Sequence, residues 1–173
     1  MKSYYNILIA LTIIIIFMSF GSSHAFTVAS GISSYVPINI SNSQTTATPS
    51  PFQQMINASS SVYGSYAASN FQNVEFFYGN GTIIPSWLEN YTTTHAIWWV
   101  KVGSIPASSS ITIYMGFAST TTNLFNNVSV GEAPQLSSTY GAYDDGANIF
   151  KFYDNFAGTS LTTSQWKVVY SAN

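Results

Sequence analysis

The run Ser110-Ile111-Thr112-Ile113-Tyr114-Met115 alternates polar and apolar side chains without a break. Successive side chains of a strand point to opposite faces, so this period belongs to a strand with one face buried and the other wet. The same period returns in Tyr35-Val36-Pro37-Ile38-Asn39-Ile40. His95-Ala96-Ile97-Trp98-Trp99-Val100-Lys101-Val102 is a second β-branched and aromatic run, and the loop Gly103-Ser104-Ile105-Pro106-Ala107 is expected to join it to the Ser110 strand as a hairpin. An earlier hairpin is expected where Val74-Glu75-Phe76-Phe77-Tyr78 meets Gly79-Asn80-Gly81, because Asn-Gly tolerates the positive φ such a turn needs. Its second arm runs from Thr82 to Glu89 and contains Pro85, which cannot donate to a ladder and marks an edge or a bulge.

Elsewhere the signals are shorter. Pro49 and Pro51 precede Phe52-Gln53-Gln54-Met55-Ile56, which predicts one or two helical turns at most. One short strand is expected around Asn127-Val128-Ser129-Val130 and another over Ile149 to Phe156. With no long helical period after the leader, the fold expected is all-β, an antiparallel β-sandwich preceded by a hydrophobic signal helix.

That leader is Met1 to Ala25. Lys2 gives a positive start, Ile7 to Phe20 an apolar run, and Ser23-His24-Ala25 a small-x-small site before Phe26. The apolar run is shorter than the roughly 20 residues that cross a bilayer, which favours a cleaved signal over an anchor at residues 7–20 facing outside. Both readings place the remainder outside the cytoplasm, secreted or at the cell surface, as one domain.

Charge then narrows the partners. Charged residues make up 6% of the chain, against about 25% for an average soluble protein, and arginine is absent. After the leader only Lys101, Lys151 and Lys167 carry positive charge, which is too little for nucleic acid or an anionic membrane surface. Membrane contact is expected only through an uncleaved leader. Solubility must come from neutral polar groups, chiefly 27 Ser and 17 Thr. No cysteine is present, which excludes thiol chemistry and disulfides and points to a prokaryotic surface protein. So few carboxylates also suit an acidic habitat, since little in the fold is lost when they protonate.

Motifs in order carry a resemblance. Phe76-Phe77-Tyr78-Gly79-Asn80-Gly81-Thr82-Ile83-Ile84-Pro85-Ser86-Trp87-Leu88-Glu89 is followed by Ala96-Ile97-Trp98-Trp99-Val100-Lys101-Val102 and Ile111-Thr112-Ile113-Tyr114-Met115-Gly116. This order resembles the family catalogued as domain of unknown function 2341, over roughly Ser34 to Phe117. Where the family usually shows Tyr-Gly-Asn after its last strand, this chain has Gly116-Phe117-Ala118. The resemblance implies a module of multidomain surface or secreted proteins of archaea and bacteria, often followed by a concanavalin-like sandwich, with no established catalytic residues. Tyr153 to Trp166 resembles the opening of such a lectin/glucanase-like sandwich. The organisation expected is therefore a signal at 1–25, a sandwich at 26–140 and an incomplete concanavalin-like start at 141–173, as in a truncated or split gene product.

Six acids are present: Glu75, Glu89, Glu132, Asp144, Asp145 and Asp154. They lack the alternating set that sandwich glucanases carry on one strand. A glycosidase needs two carboxyls facing a sugar, and Glu89 with Asp154 is the pair to examine. Asp144, Asp145 and Asp154 offer loop oxygens suited to calcium, or an Asx turn that caps itself. His24 falls in the leader and His95 stands alone, so neither a transition-metal site nor a Ser-His-Asp set assembles. Trp87, Trp98, Trp99 and the tyrosines could stack on a sugar ring, with Trp99, Trp87 and the nearby Glu89 the ligand-binding candidates, against a core role. Neighbours Trp98 and Trp99 must point to opposite faces, one of them to the core. Asn39, Asn57, Asn80, Asn90 and Asn127 match the glycan acceptor pattern, where about three or four matches arise by chance in this composition. The function expected is a non-catalytic module contacting carbohydrate or a cell-envelope polymer; an architectural module and a hydrolase fragment are the alternatives. No cofactor is expected beyond a possible calcium ion.

Overall fold

A computed structural model describes residues 25–167 and 169. The leader reading rests on residues 1–25 and so, except for Ala25, lies outside the described residues. Among the described residues eight strands form two four-stranded sheets. In chain order they are β1 (Ser34–Asn42), β2 (Phe52–Ser59), β3 (Val74–Tyr78), β4 (Ile83–Ile84), β5 (Ser86–Tyr91), β6 (His95–Val102), β7 (Ser109–Phe117) and β8 (Val130–Glu132). The first sheet runs β1-β7-β3-β4 and the second β2-β6-β5-β8. Every pairing is antiparallel except β5 with β8. The fold is an all-β sandwich.

The alternation in β7 does what its period requires. Ile113, Met115 and Phe117 are buried, and β1 lies along β7 from Ser34 opposite Phe117 to Asn42 opposite Ser109. Val36, Ile38 and Ile40 of β1 join the same core. From the second sheet, Trp98, Val100 and Val102 of β6 and Leu88 of β5 face them. Phe76 and Trp98 meet edge to face with ring centroids 5.5 Å apart, at the centre of the space between sheets.

Five local expectations are corrected. Phe52–Ile56 is strand, not helix, because the whole of β2 pairs in register with β6, Phe52 opposite Val102 through Ser59 opposite His95. The helical turn, α1, comes later at Ser60–Tyr63. The arm from Thr82 to Glu89 is two strands in two sheets: Ile83–Ile84 pairs with β3, and Pro85 interrupts the ladder where the chain crosses to the second sheet. β6 and β7 likewise are not a hairpin, since both carry apolar faces that need each other across the core, and Ile105 is buried in the loop between them. The strand expected over Ile149–Phe156 is replaced by a helical turn, α2 (Gly146–Ile149), and an irregular strap. The short strand near Asn127 exists but is shifted to Val130–Glu132.

Two buried asparagines fasten the loops in place of disulfides. Asn42 Nδ2 donates to the carbonyls of Thr46, Ile105 and Pro106, and Asn73 Nδ2 to those of Tyr66 and Ala118. Their Oδ1 atoms accept from the backbone N–H of Gln44 and Ala68. Loop amides that would be orphaned inside the protein are thus satisfied by side chains.

Candidate functional site

The outer face of the second sheet carries most of the candidate residues. Trp87 of β5 lies directly opposite Trp99 of β6, so both indoles stand on this face, and Trp98 takes the inward position. The strap from Tyr143 to Tyr153 crosses over them. Phe150 sits edge-on to Trp87 at 5.4 Å and to Trp99 at 5.5 Å, while Tyr153 meets Trp87 at 5.9 Å. Gln53 Nε2 donates to Ile149 O at 3.0 Å, and Lys101 Nζ donates to Asn148 O. Trp87 is left 9% exposed and packs with Ala133 and Ile149, whereas Trp99 is half-buried.

Asp144 is the hub of the strap. Its Oδ1 accepts from Trp87 Nε1 at 3.1 Å, Gly146 N at 3.0 Å and Tyr153 Oη at 2.8 Å. Its Oδ2 accepts from Asn155 Nδ2 at 2.8 Å. Burial and the bond to Asp144 raise the Tyr153 hydroxyl pKa, so this group stays a donor. Asp154 serves its own local turn, accepting from Phe156 N at 2.9 Å and Trp166 Nε1 at 2.6 Å. Both acids therefore make Asx turns to the residue two places on.

Asp145 differs from both. It is 2% exposed, and neither carboxyl oxygen has a hydrogen-bond partner. It lies against Gly131 of β8, where a Cβ would fall 1.9 Å from its Oδ1. Only glycine at 131 permits that approach. Burial first, and then the charge of Asp144, push the Asp145 carboxyl up to about 7. Glu132 and Glu75 are also buried, and burial raises both, with the Ser137 hydroxyl bond to Glu132 working the other way.

The structure separates the candidate sets. Among the described residues no three His, Cys, Asp or Glu side chains gather as a metal group. Oxygens of Asp144 and Asp154 already take protein donors. Glu89, the extra residue at the β5 bulge, accepts from Trp99 Nε1 at 2.5 Å, and Asp154 binds a different indole. His95 Nδ1 lies 3.1 Å and 3.2 Å from the hydroxyls of Thr92 and Thr94. One open concavity, of about 270 Å³, is lined by Asp154 and the residues after it as far as Thr162, and two others sit elsewhere. One of about 620 Å³ is lined by Ala67, Phe71, Tyr91 and neighbouring Ser and Thr; another of about 330 Å³ by Tyr35, Val36, Val62, Tyr63, Tyr66 and Phe117. Neither contains an acid or a base. Among these, Tyr35 and Tyr66 are exposed aromatics that sequence reasoning did not single out, and only their place beside α1 and the β1 edge brings them together. All five acceptor asparagines, Asn39, Asn57, Asn80, Asn90 and Asn127, are exposed. No helix among the described residues is long and apolar enough to cross a membrane.

Fold and site together define an all-β sandwich domain with a strap across one outer face. The chain belongs to the family described as Domain of unknown function (DUF2341), whose model matches residues 70–169. That match begins later than the motif resemblance and runs through the strap, past the boundary expected at residue 140. The chain is 39% identical over 123 residues to "Uncharacterized protein 562" of Sulfolobus islandicus rod-shaped virus 1, covering 68% of this chain and 21% of that protein. It thus spans about a fifth of the length of that relative. No solved structure matches it.

Proposed function

We propose that this chain is an exported, non-catalytic β-sandwich module, secreted or at the cell surface, serving as a structural unit of a longer protein. The observation that carries this reading is the use made of its reactive and sticky side chains. Trp87, Trp98 and Trp99 are committed to packing or to the strap, and the acids hold indoles, turns or the Ser137 hydroxyl or lie buried without a partner. Hydrolysis of a glycoside needs two carboxyls free to face a substrate. The similarity to a stretch of a much longer viral protein supports a unit within a larger assembly.

Contact with carbohydrate or an envelope polymer is the second reading, favoured by exposed Tyr35 and Tyr66 around an apolar groove, because aromatic rings stack on the apolar faces of sugars. Binding to a glycan array and to insoluble polysaccharides at acidic and neutral pH separates the two, with Tyr66→Ala and Trp99→Ala alongside. The structural reading expects no saturable binding. Saturable binding abolished by either substitution replaces it with a sugar-binding module.

The strap as far as Tyr153 packs on this sandwich, so in the same proposal only the residues after Phe156 lead towards a following concanavalin-like one. Ala157 to Gln165 are exposed throughout, so they add little to this domain. A chain ended after Phe156 should melt within about 2 °C of the whole, and a larger fall would show that the tail belongs to this sandwich.

A further inference from the structure

A sandwich with two open sheets has four edge strands, here β1, β4, β2 and β8. Unpaired edges are templates for pairing with another chain, and proteins ordinarily blunt them with charge, proline, bulges or shortness. β4 has two residues and β8 three, so they are short. β1 and β2 are long, nine and eight residues, and neither carries a charged side chain. β1 has Pro37 as its one conventional guard, while β2 exposes Met55.

Asn39 lies in the second half of β1 and Asn57 near the end of β2, both exposed, each followed two places on by the serine of an acceptor pattern. The other three acceptors also stand beside edges. Asn80 is in the turn leading to β4, Asn127 shortly precedes β8, and Asn90 lies on β5 beyond Leu88, where pairing with β8 stops. Asparagines that lack the pattern include the buried loop fasteners Asn42 and Asn73.

We propose that Asn39 and Asn57 carry N-linked glycans whose role is to cover the two long uncharged edges. The proposal rests on the export reading above, since the acceptor pattern is used on exported chains. In the transfer, Asn Nδ2 forms a bond to the anomeric carbon of a glycan carried on a lipid phosphate, and the carbon–oxygen bond to phosphate breaks. The lipid phosphate leaves with the electron pair, and one amide proton passes to a base of the transferase. A hydrated glycan at each position shields neighbouring backbone N–H and C=O groups, the work that lysine does on other edges.

The test is to produce the full chain in a host that N-glycosylates exported proteins, separate cell and medium fractions, and map chymotryptic peptides by mass spectrometry. Glycan mass is expected on Asn39 and Asn57 and not on Asn42 or Asn73. The double variant N39Q/N57Q, exported and folded by circular dichroism, should show at least a tenfold larger self-associated fraction by size exclusion with light scattering. N39K/N57K should restore the monodisperse state without glycan. Exported protein bare at both asparagines overturns the proposal while leaving the export reading intact, and a monodisperse N39Q/N57Q overturns the edge-covering role. A chain retained inside the cell and unmodified overturns the export reading and this one with it.

Discussion

Replacing Trp98 by alanine should lower the unfolding free energy by about 3–5 kcal/mol, the range seen when a large buried aromatic is removed from a core. Trp98 has no exposed surface and stands edge to face with Phe76 between the sheets. Since a domain of this size is stable by roughly 5–15 kcal/mol, the loss is a large fraction of the whole. Trp99→Ala should cost clearly less, because that indole is half-buried on the outer face beneath Phe150. Trp98→Phe is the informative intermediate. The Trp98 Nε1–H is buried without a partner, so phenylalanine removes an unsatisfied donor along with volume, and the two effects oppose each other. Guanidinium unfolding followed by circular dichroism gives all three values. Equal losses for the Trp98 and Trp99 alanine variants would contradict the register that sends one ring inward and its neighbour outward.

The melting temperature should fall as pH rises from about 4 to 7.5. Asp145 holds its proton more tightly folded than unfolded, its carboxyl having been pushed from 3.8 to about 7 by burial and then by Asp144. A group raised in this way contributes its full stability below the unfolded value and loses it as pH climbs through the folded one. At about 1.4 kcal/mol per unit, Asp145 alone supplies roughly 2–4 kcal/mol at pH 4 that is gone by pH 7.5. Glu132 and Glu75, raised by burial, add the same sign. Asp145→Asn, uncharged at any pH, should flatten the profile and raise stability at pH 7.5. A wild-type profile flat or rising over this window, or one unchanged by the substitution, would refute the assignment. Burial thus raises three of the six acids, Asp145, Glu132 and Glu75, and each shift favours the folded state at lower pH.

Strands were legible wherever one face is buried and the other wet. β7 and β1 show this alternation and lie where it placed them. Periodicity says which side of a strand is apolar, but not which sheet the strand joins. The hairpin expected at Gly79-Asn80-Gly81 therefore forms between β3 and β4 but loses the rest of its second arm to the other sheet at Pro85, and the one expected at the Ile105 loop is divided between sheets. Phe52–Ile56 and Ile149–Phe156 are short apolar runs beside turn-formers, equally compatible with strand or helix; β6 makes the first a strand, while the second crosses Trp87 and Trp99 as an irregular strap. At the site, alternation fixed that Trp98 and Trp99 part company without fixing which was inward. The role of Asp144 was not legible, because its bond to Trp87 joins residues 57 apart and depends on a strap that no local rule places.

The pairing of β1 with β7 also sets when this protein can fold. The Ser33 hydroxyl reaches Phe117 O, 84 residues along the chain, and β2 waits in the same way for β6. Contacts so distant in sequence make for slow folding, because the connecting chain must be ordered before any ladder rewards it. A polypeptide emerging residue by residue holds its two uncharged strands without partners until most of the sandwich has appeared. Late pairing of this kind would keep the chain extended along the export route proposed above, with assembly deferred to the far side.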